Sequence, residues 1–158
     1  MLLWYTGVSV VIVVVVFQSV GVDYRLVALG SLLPLAIDLP LWRMAYGHSL
    51  VVTVGLLVVV MLATIGRPRL VRRRLLCLPI GAFCGLVLSG AWMETDVFWW
   101  PFTGTSIPHV DLFPAIGIVL LEELAGLAAW AYVVVRFGLA EPAPRAAFLR
   151  TGRLQAQP

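Results

Sequence analysis

The chain has 158 residues, of which 61% are hydrophobic and 12% are charged, and it carries a formal net charge of +3. Soluble domains are about half apolar and a quarter charged, so a soluble fold of this length has too little interior for these side chains. The composition therefore predicts an all-α integral membrane protein and argues against a soluble enzyme. No stretch alternates aromatic and basic residues, so we expect no nucleic-acid partner.

Five apolar runs predict a bundle of about five transmembrane helices, because crossing a bilayer core about 30 Å thick takes about 20 apolar residues. The runs cover residues 2–20, 26–41, 49–65, 75–92 and 113–137. The second run is short and contains Pro34, so it crosses the membrane or re-enters it. Residues 1–140 are thus predicted to form one transmembrane domain, followed by a cytoplasmic Pro/Ala/Arg-rich tail over residues 141–158.

The arginines predict the orientation of the helices. Five lie in residues 66–74, and the tail carries others. Short basic segments stay on the cytoplasmic side, and the two crossings between these segments place both there. With five crossings, this multi-pass protein of the inner (plasma) membrane has a cytoplasmic C-terminus and an outer N-terminus, whereas four crossings would place the N-terminus inside.

Aromatic residues cluster in the segment before the last run. Trp92, Trp99 and Trp100 belong to this cluster. Tryptophan is enriched where the bilayer meets water, so these side chains are predicted to be interfacial anchors in contact with membrane lipids. The alternative is that they form the rim of a site open to lipid headgroups.

A single acid and a single histidine lie ten residues apart in SLLPLAIDLPLWRMAYGHSL (31–50). They are Asp38 and His48, and Pro34 and Pro40 interrupt the helical pattern around the acid. Carboxylate and imidazole are metal ligands. They also cap loops and helix ends. The pair is therefore a candidate metal site or a loop-stabilising contact.

Several segments in one order resemble a known family. They are MLLWYTG, GSLLPLAIDLP, GHSL, GLVLSGAWMETDVFWWPFTG and FLRTGRL. Together they resemble the LexA-regulated, membrane-bound, metal-dependent hydrolases, in the actinobacterial-type branch. The resemblance implies a divalent metal, zinc or manganese, that activates water and polarises a phosphoryl or carbonyl oxygen. It also implies ligands in the first four helical segments, including an H-x-x-x-D pair in the fourth.

Most ligand positions of that family are substituted in this chain. The substituted positions are Tyr5, Leu35, Gly85 and Ser89, and only Asp38 and His48 match. A catalytic metal usually takes three protein ligands, so two leave the site one short. The resemblance therefore implies a degenerate metal site without a cofactor. The alternative is a site rebuilt with Glu94, Asp96, His109 or Asp111.

The last apolar run carries two adjacent acids, Glu122 and Glu123. An acid at the centre of a transmembrane helix costs about 2.5–3.5 kcal/mol. Neighbouring residues differ by about 100° around a helix, so at least one should face the bundle interior or a partner protein. The alternative is a protonated glutamate that is hydrogen-bonded to a nearby backbone or hydroxyl group.

These observations predict a non-catalytic polytopic membrane protein, a structural or accessory subunit whose partner is another membrane protein or a second copy. The alternative is a membrane-bound, metal-dependent hydrolase of a lipid-like or phosphoester substrate.

Overall fold

The computed structural model describes residues 1–19 and 21–154, and within these ranges the chain is helical with no β-strand, as predicted. A π-helical turn over Trp4–Val8 leads into the first of the nine α-helices found in these two ranges. They are α1 Ser9–Phe17, α2 Tyr24–Ser31, α3 Leu33–Asp38, α4 Leu50–Ala63, α5 Arg69–Leu75, α6 Cys77–Leu88, α7 Thr95–Phe98, α8 Ile116–Arg136 and α9 Pro142–Thr151.

Two helical stretches of the described chain are long and apolar enough to cross a membrane. They are Tyr24–Leu41, of 18 residues, and Ile116–Arg136, of 21 residues. Trp4–Phe17 and Leu50–Ala63 are apolar but shorter. The first stretch contains both α2 and α3, with a break at Leu32, because a proline at position 34 has no N–H to continue the α2 ladder.

Glycines bring α2 and α6 into backbone contact. A Cβ added at Gly81 would lie 2.9 Å from the carbonyl carbon of Val27, and one added at Gly85 would lie 2.9 Å from that of Ser31. Each would lie closer still to the carbonyl oxygen. The two helices run parallel here, since a step of four residues on one matches a step of four on the other. A side chain at either glycine would push the helices apart.

The N-terminal segment packs on α8 in a similar way. A Cβ added at Gly7 would lie 2.7 Å from the carbonyl oxygen of Gly126. One turn further along α8, the indole N–H of Trp130 donates to Thr6 Oγ1 at 3.1 Å. The first and last long helical segments are therefore direct neighbours.

Two buried apolar clusters lie at opposite ends of the bundle. The first consists of Val10, Val13, Tyr24, Val27, Cys77, Val133, Phe137 and Leu154. Because α5 and its arginines adjoin this cluster, we call its end the basic end. The second consists of Met1, Tyr5, Leu35, Met44, Val97 and Leu112. The loops over residues 39–48 and 99–115 lie at this second end, which we call the loop end.

The outer surfaces of α4 and α8 are apolar. On α8, Ile116, Leu121 and Val135 are 76%, 68% and 82% exposed, and on α4, Val59 and Leu62 are each 61% exposed. Soluble monomers rarely present so large a continuous apolar surface to water. An apolar surface of this kind suits contact with lipid or with another apolar helix.

The segment predicted as a tail packs against the basic end as far as Leu154. Tyr24 donates its backbone N–H to the Gly152 carbonyl at 2.8 Å, and Leu154 is only 5% exposed. Gly152 has a φ of +72°, a left-handed conformation that favours glycine, and it ends α9. Residues 155–158 lie outside the described residues.

An ion-pair network around Asp23 joins α2, α5 and α9. The carboxylate, only 4% exposed, accepts from Arg74 Nε at 2.7 Å and from Arg25 Nη2 at 3.2 Å. Arg25 also donates to the Leu149 carbonyl at 2.5 Å. Burial raises the pKa of Asp23, but the hydrogen bonds and charges of the two arginines outweigh it and hold that pKa below its usual value.

This network predicts a loss of stability in acid. A carboxyl whose pKa is lower in the folded state stabilises the fold above its unfolded value of about 3.9. That contribution disappears as the pH falls through the folded pKa. The thermal midpoint of the purified protein in detergent should therefore fall below about pH 4. Asp23→Asn should lower the thermal midpoint at pH 7 and reduce its further fall in acid.

The matched control is Asp111→Asn, since the Asp111 side chain is 85% exposed. This variant should have the same thermal midpoint as the parent at pH 7 and the same fall of that midpoint in acid. If the midpoint of Asp23→Asn falls in acid as much as that of the parent, other carboxyl groups govern acid unfolding.

Candidate functional site: the Asp38–His48 pair

The structure brings Asp38 and His48 into direct contact at the loop end. Asp38 is the last residue of α3, and His48 closes a 3-10 turn just before α4. His48 Nδ1 lies 2.7 Å from Asp38 Oδ2, and the two side chains are 1% and 0% exposed. The sequence placed the two residues in one segment, and the fold of that segment makes them a buried pair.

The loop over residues 39–48 wraps around the Asp38 carboxylate. Oδ2 accepts the backbone N–H of Ala45 at 2.7 Å and that of His48 at 3.2 Å. Oδ1 accepts the backbone N–H of Gly47 at 2.8 Å. Three N–H donors favour the ionised carboxylate, so the imidazole donates through Nδ1. The carboxylate thus holds both the loop backbone and the histidine ring.

The residues on either side of His48 fit this role. A Cβ added at Gly47 would lie 2.5 Å from the Pro34 carbonyl oxygen and 3.0 Å from Asp38 Oδ1, so only glycine fits there. Ser49 is the N-cap of α4, and its hydroxyl oxygen accepts the Val52 N–H at 3.3 Å. The loop therefore ends in a capped helix.

Most acceptor sites of the Asp38 carboxylate are already used within the protein. Each carboxylate oxygen offers two lone pairs; three N–H donors contact Oδ2 and one contacts Oδ1. A metal on Oδ2 would displace one of these donors and leave it unpaired and buried. The acceptor site left on Oδ1 belongs to a side chain that is 0% exposed. The pair as built does not fit the metal site that the family resemblance implies.

The four residues considered for a rebuilt site do not join this pair. Glu94 and Asp96 are exposed at the start of α7. His109 and Asp111 are 72% and 85% exposed, with His109 Nε2 3.8 Å from Asp111 Oδ1. Across residues 1–19 and 21–154, no three His, Cys, Asp or Glu side chains are grouped so as to hold a metal ion.

The four positions that the resemblance identified as substituted ligands serve packing. Tyr5 and Leu35 are 2% and 8% exposed and lie in the same apolar cluster. Gly85 packs against the α2 backbone, and Ser89 Oγ donates to the Leu86 carbonyl at 2.8 Å. A histidine at position 85 has no room in this structure.

The two acids of α8 face the N-terminal segment of the chain. Glu123 forms an ion pair with the Met1 amino group, and its Oε2 accepts the Leu3 backbone N–H at 3.1 Å. Glu122 Oε2 is buried and has no hydrogen-bond partner in the described part of the chain. Both acids are partly buried, and the Glu123 side chain is 32% exposed.

The three tryptophans predicted to be interfacial anchors differ in their exposure. Trp92 and Trp99 are 56% and 47% exposed at the loop end. Trp100 is half-buried and packs edge-on against Tyr46, with ring centroids 5.0 Å apart. Trp100 therefore contacts the loop that surrounds Asp38.

Sequence reasoning missed two features. The Gly81–Gly85 pair has the small-residue spacing typical of close helix contacts, which is a readable signal. The Asp23 network also had a signal, because a lone acid at a helix start lies near a run of arginines in the same predicted cytoplasmic region.

Comparison with known proteins finds no matching family model, curated protein or solved structure.

Proposed function

We propose that this chain is a polytopic membrane protein of about five crossings, without a catalytic metal centre, that serves as a structural or accessory subunit of a membrane complex. The observation that carries the proposal is the buried Asp38 carboxylate, which accepts three backbone N–H groups of the loop and contacts the His48 ring. The chemistry of the pair is used to hold the loop end together.

The course of the chain supports five crossings. Met1 belongs to the loop-end cluster, and Val13 belongs to the basic-end cluster. The chain then returns, because Tyr24 belongs to the basic-end cluster and Leu35 to the loop-end cluster. The chain goes on to alternate between the two ends through α4, α5–α6 and α8. The shorter apolar helices cross if the bilayer thins locally or flanking residues extend to the interface.

The charge distribution supports the predicted orientation. The arginines of α5 and α9 lie at the basic end. For a protein of the plasma membrane, the positive-inside rule places this end in the cytoplasm. The loop end, with Trp92 and Trp99, then meets the outer interface.

Cysteine labelling tests this placement. In a background lacking Cys77 and Cys84, Thr105→Cys should react with a membrane-impermeant maleimide on intact cells. Arg69→Cys should react only after permeabilisation, because it begins α5 at the basic end. Both native residues are exposed, so accessibility depends on the side of the membrane. Labelling of Arg69→Cys on intact cells would contradict the orientation.

The proposed partner is another membrane protein or a second copy of this chain. The apolar outer faces of α4 and α8 support this, since close helix packing or lipid must cover them. Purification in a mild detergent should yield a defined complex by light scattering. A monomer without a stoichiometric partner would contradict the subunit role.

A metal-dependent hydrolase of a lipid-like or phosphoester substrate is the second candidate. One observation favours it: a carboxylate that holds Nδ1 of a histidine fixes the ring and directs Nε2 toward a ligand or proton acceptor. Hydrolysis of a phosphoester reporter with added zinc or manganese, abolished in His48→Ala, would support this candidate.

A further inference from the structure

A cavity of about 380 Å³ opens at the basic end between α5 and the C-terminal end of α9. Four arginines line it, Arg73 and Arg74 from α5 and Arg150 and Arg153 from the region of the α9 terminus. Asp23 is the only acidic residue in the wall among the described residues. Four positive charges thus face one negative charge.

Asp23 neutralises only part of this charge. Its carboxylate is paired with Arg74 and with Arg25, which lies outside the wall. Arg73 donates to a neutral acceptor, Ser19 Oγ, at 3.1 Å. Within residues 1–19 and 21–154, neither Arg150 nor Arg153 forms an ion pair. The cavity therefore has guanidinium groups available for an anion.

The wall also has an apolar side. Leu70 and Val71 line the cavity and are 71% and 41% exposed. Guanidinium groups match the oxygens of a phosphate in paired hydrogen bonds, and they do so better than ammonium groups. Apolar side chains beside such a group suit the glycerol and acyl region of a lipid.

We propose that this cavity binds a phosphate-bearing anion, either the headgroup of an anionic phospholipid or a free phosphate. The proposal goes beyond the subunit role, because it assigns a ligand to the basic end of the bundle. The membrane orientation matters only for the lipid headgroup as the source of the anion, and not for free phosphate. Cysteine labelling tests that orientation separately, so the two proposals can fail independently.

Titration of the full chain in neutral detergent tests the site. The probes are short-chain phosphatidic acid and short-chain phosphatidylcholine, and the readout is the shift of the thermal unfolding midpoint. The parent should bind phosphatidic acid about tenfold more tightly, or better, because each arginine near an anionic headgroup adds to its affinity. The double variant Arg150→Gln/Arg153→Gln should lose this preference.

The control is Arg67→Gln/Arg145→Gln, which removes the same charge from exposed positions outside the cavity wall. It should keep the preference of the parent. Equal losses in both double variants, or no preference in the parent, would overturn the proposal.

Competition on the parent by inorganic phosphate needs no variant. Competition at concentrations similar to those of phosphatidic acid identifies free phosphate as the source. Competition only at far higher concentrations identifies the lipid headgroup. Absence of competition overturns recognition of the phosphate.

Discussion

Gly85→Leu is expected to prevent the bundle from folding. The added side chain would meet the backbone of Ser31, and backbone atoms inside a helix cannot move aside as a flexible side chain can. Overpacking of a core by a methylene or two costs about 1–3 kcal/mol. A branched side chain forced between two helix backbones should exceed about 4 kcal/mol, which is exceptional for a single substitution. The measurement is the yield of monodisperse protein in detergent, with thermal unfolding of whatever folds.

Gly55→Leu is the matched control for this prediction. Gly55 lies in an apolar helix too, but an added Cβ there has nothing within 4 Å. Its stability should stay within about 0.5 kcal/mol of the parent or rise slightly, because glycine disfavours a helix interior. If both variants fold equally well, α2 and α6 do not pack through Gly85.

Asp38→Asn is expected to destabilise the loop end by about 2–4 kcal/mol. The amide keeps the shape of the carboxylate but replaces one acceptor oxygen by an NH₂ donor. That donor would face at least one of the buried N–H groups that Asp38 now accepts, from Ala45, Gly47 or His48. Each buried group left unpaired costs about 1–3 kcal/mol. Thermal unfolding in detergent, with proteolysis of the loop over residues 39–48, measures the effect.

Asp96→Asn provides the control, because its side chain is exposed on the same end of the bundle. It should change the unfolding free energy by less than about 0.5 kcal/mol. An Asp38→Asn variant as stable and protease-resistant as the parent would show that Asp38 does not hold the loop.

The helices could be predicted from sequence because apolar runs and arginine clusters are local signals. The five predicted runs each contain a helix, and the break near Pro34 lies where a missing N–H must interrupt the ladder. The number of helices that cross a membrane is harder to predict, since within residues 1–19 and 21–154 only Tyr24–Leu41 and Ile116–Arg136 have the required length and composition.

The candidate site could be predicted in part. Asp38 and His48 lie ten residues apart around two prolines, so their proximity was a reasonable expectation. Their role depends on the backbone N–H groups of the intervening loop, whose directions no residue pattern specifies. The contact of Glu123 with Leu3 joins residues 120 positions apart, which a single sequence does not reveal.

The metal content of the purified protein tests the central claim most directly, which is that Asp38 and His48 hold a loop and not an ion. The protein is purified without chelators, and zinc and manganese are measured per chain for the parent and for His48→Ala. We expect no stoichiometric metal in the parent and no difference in the variant. One zinc or manganese ion per chain in the parent, lost in His48→Ala, would contradict the claim.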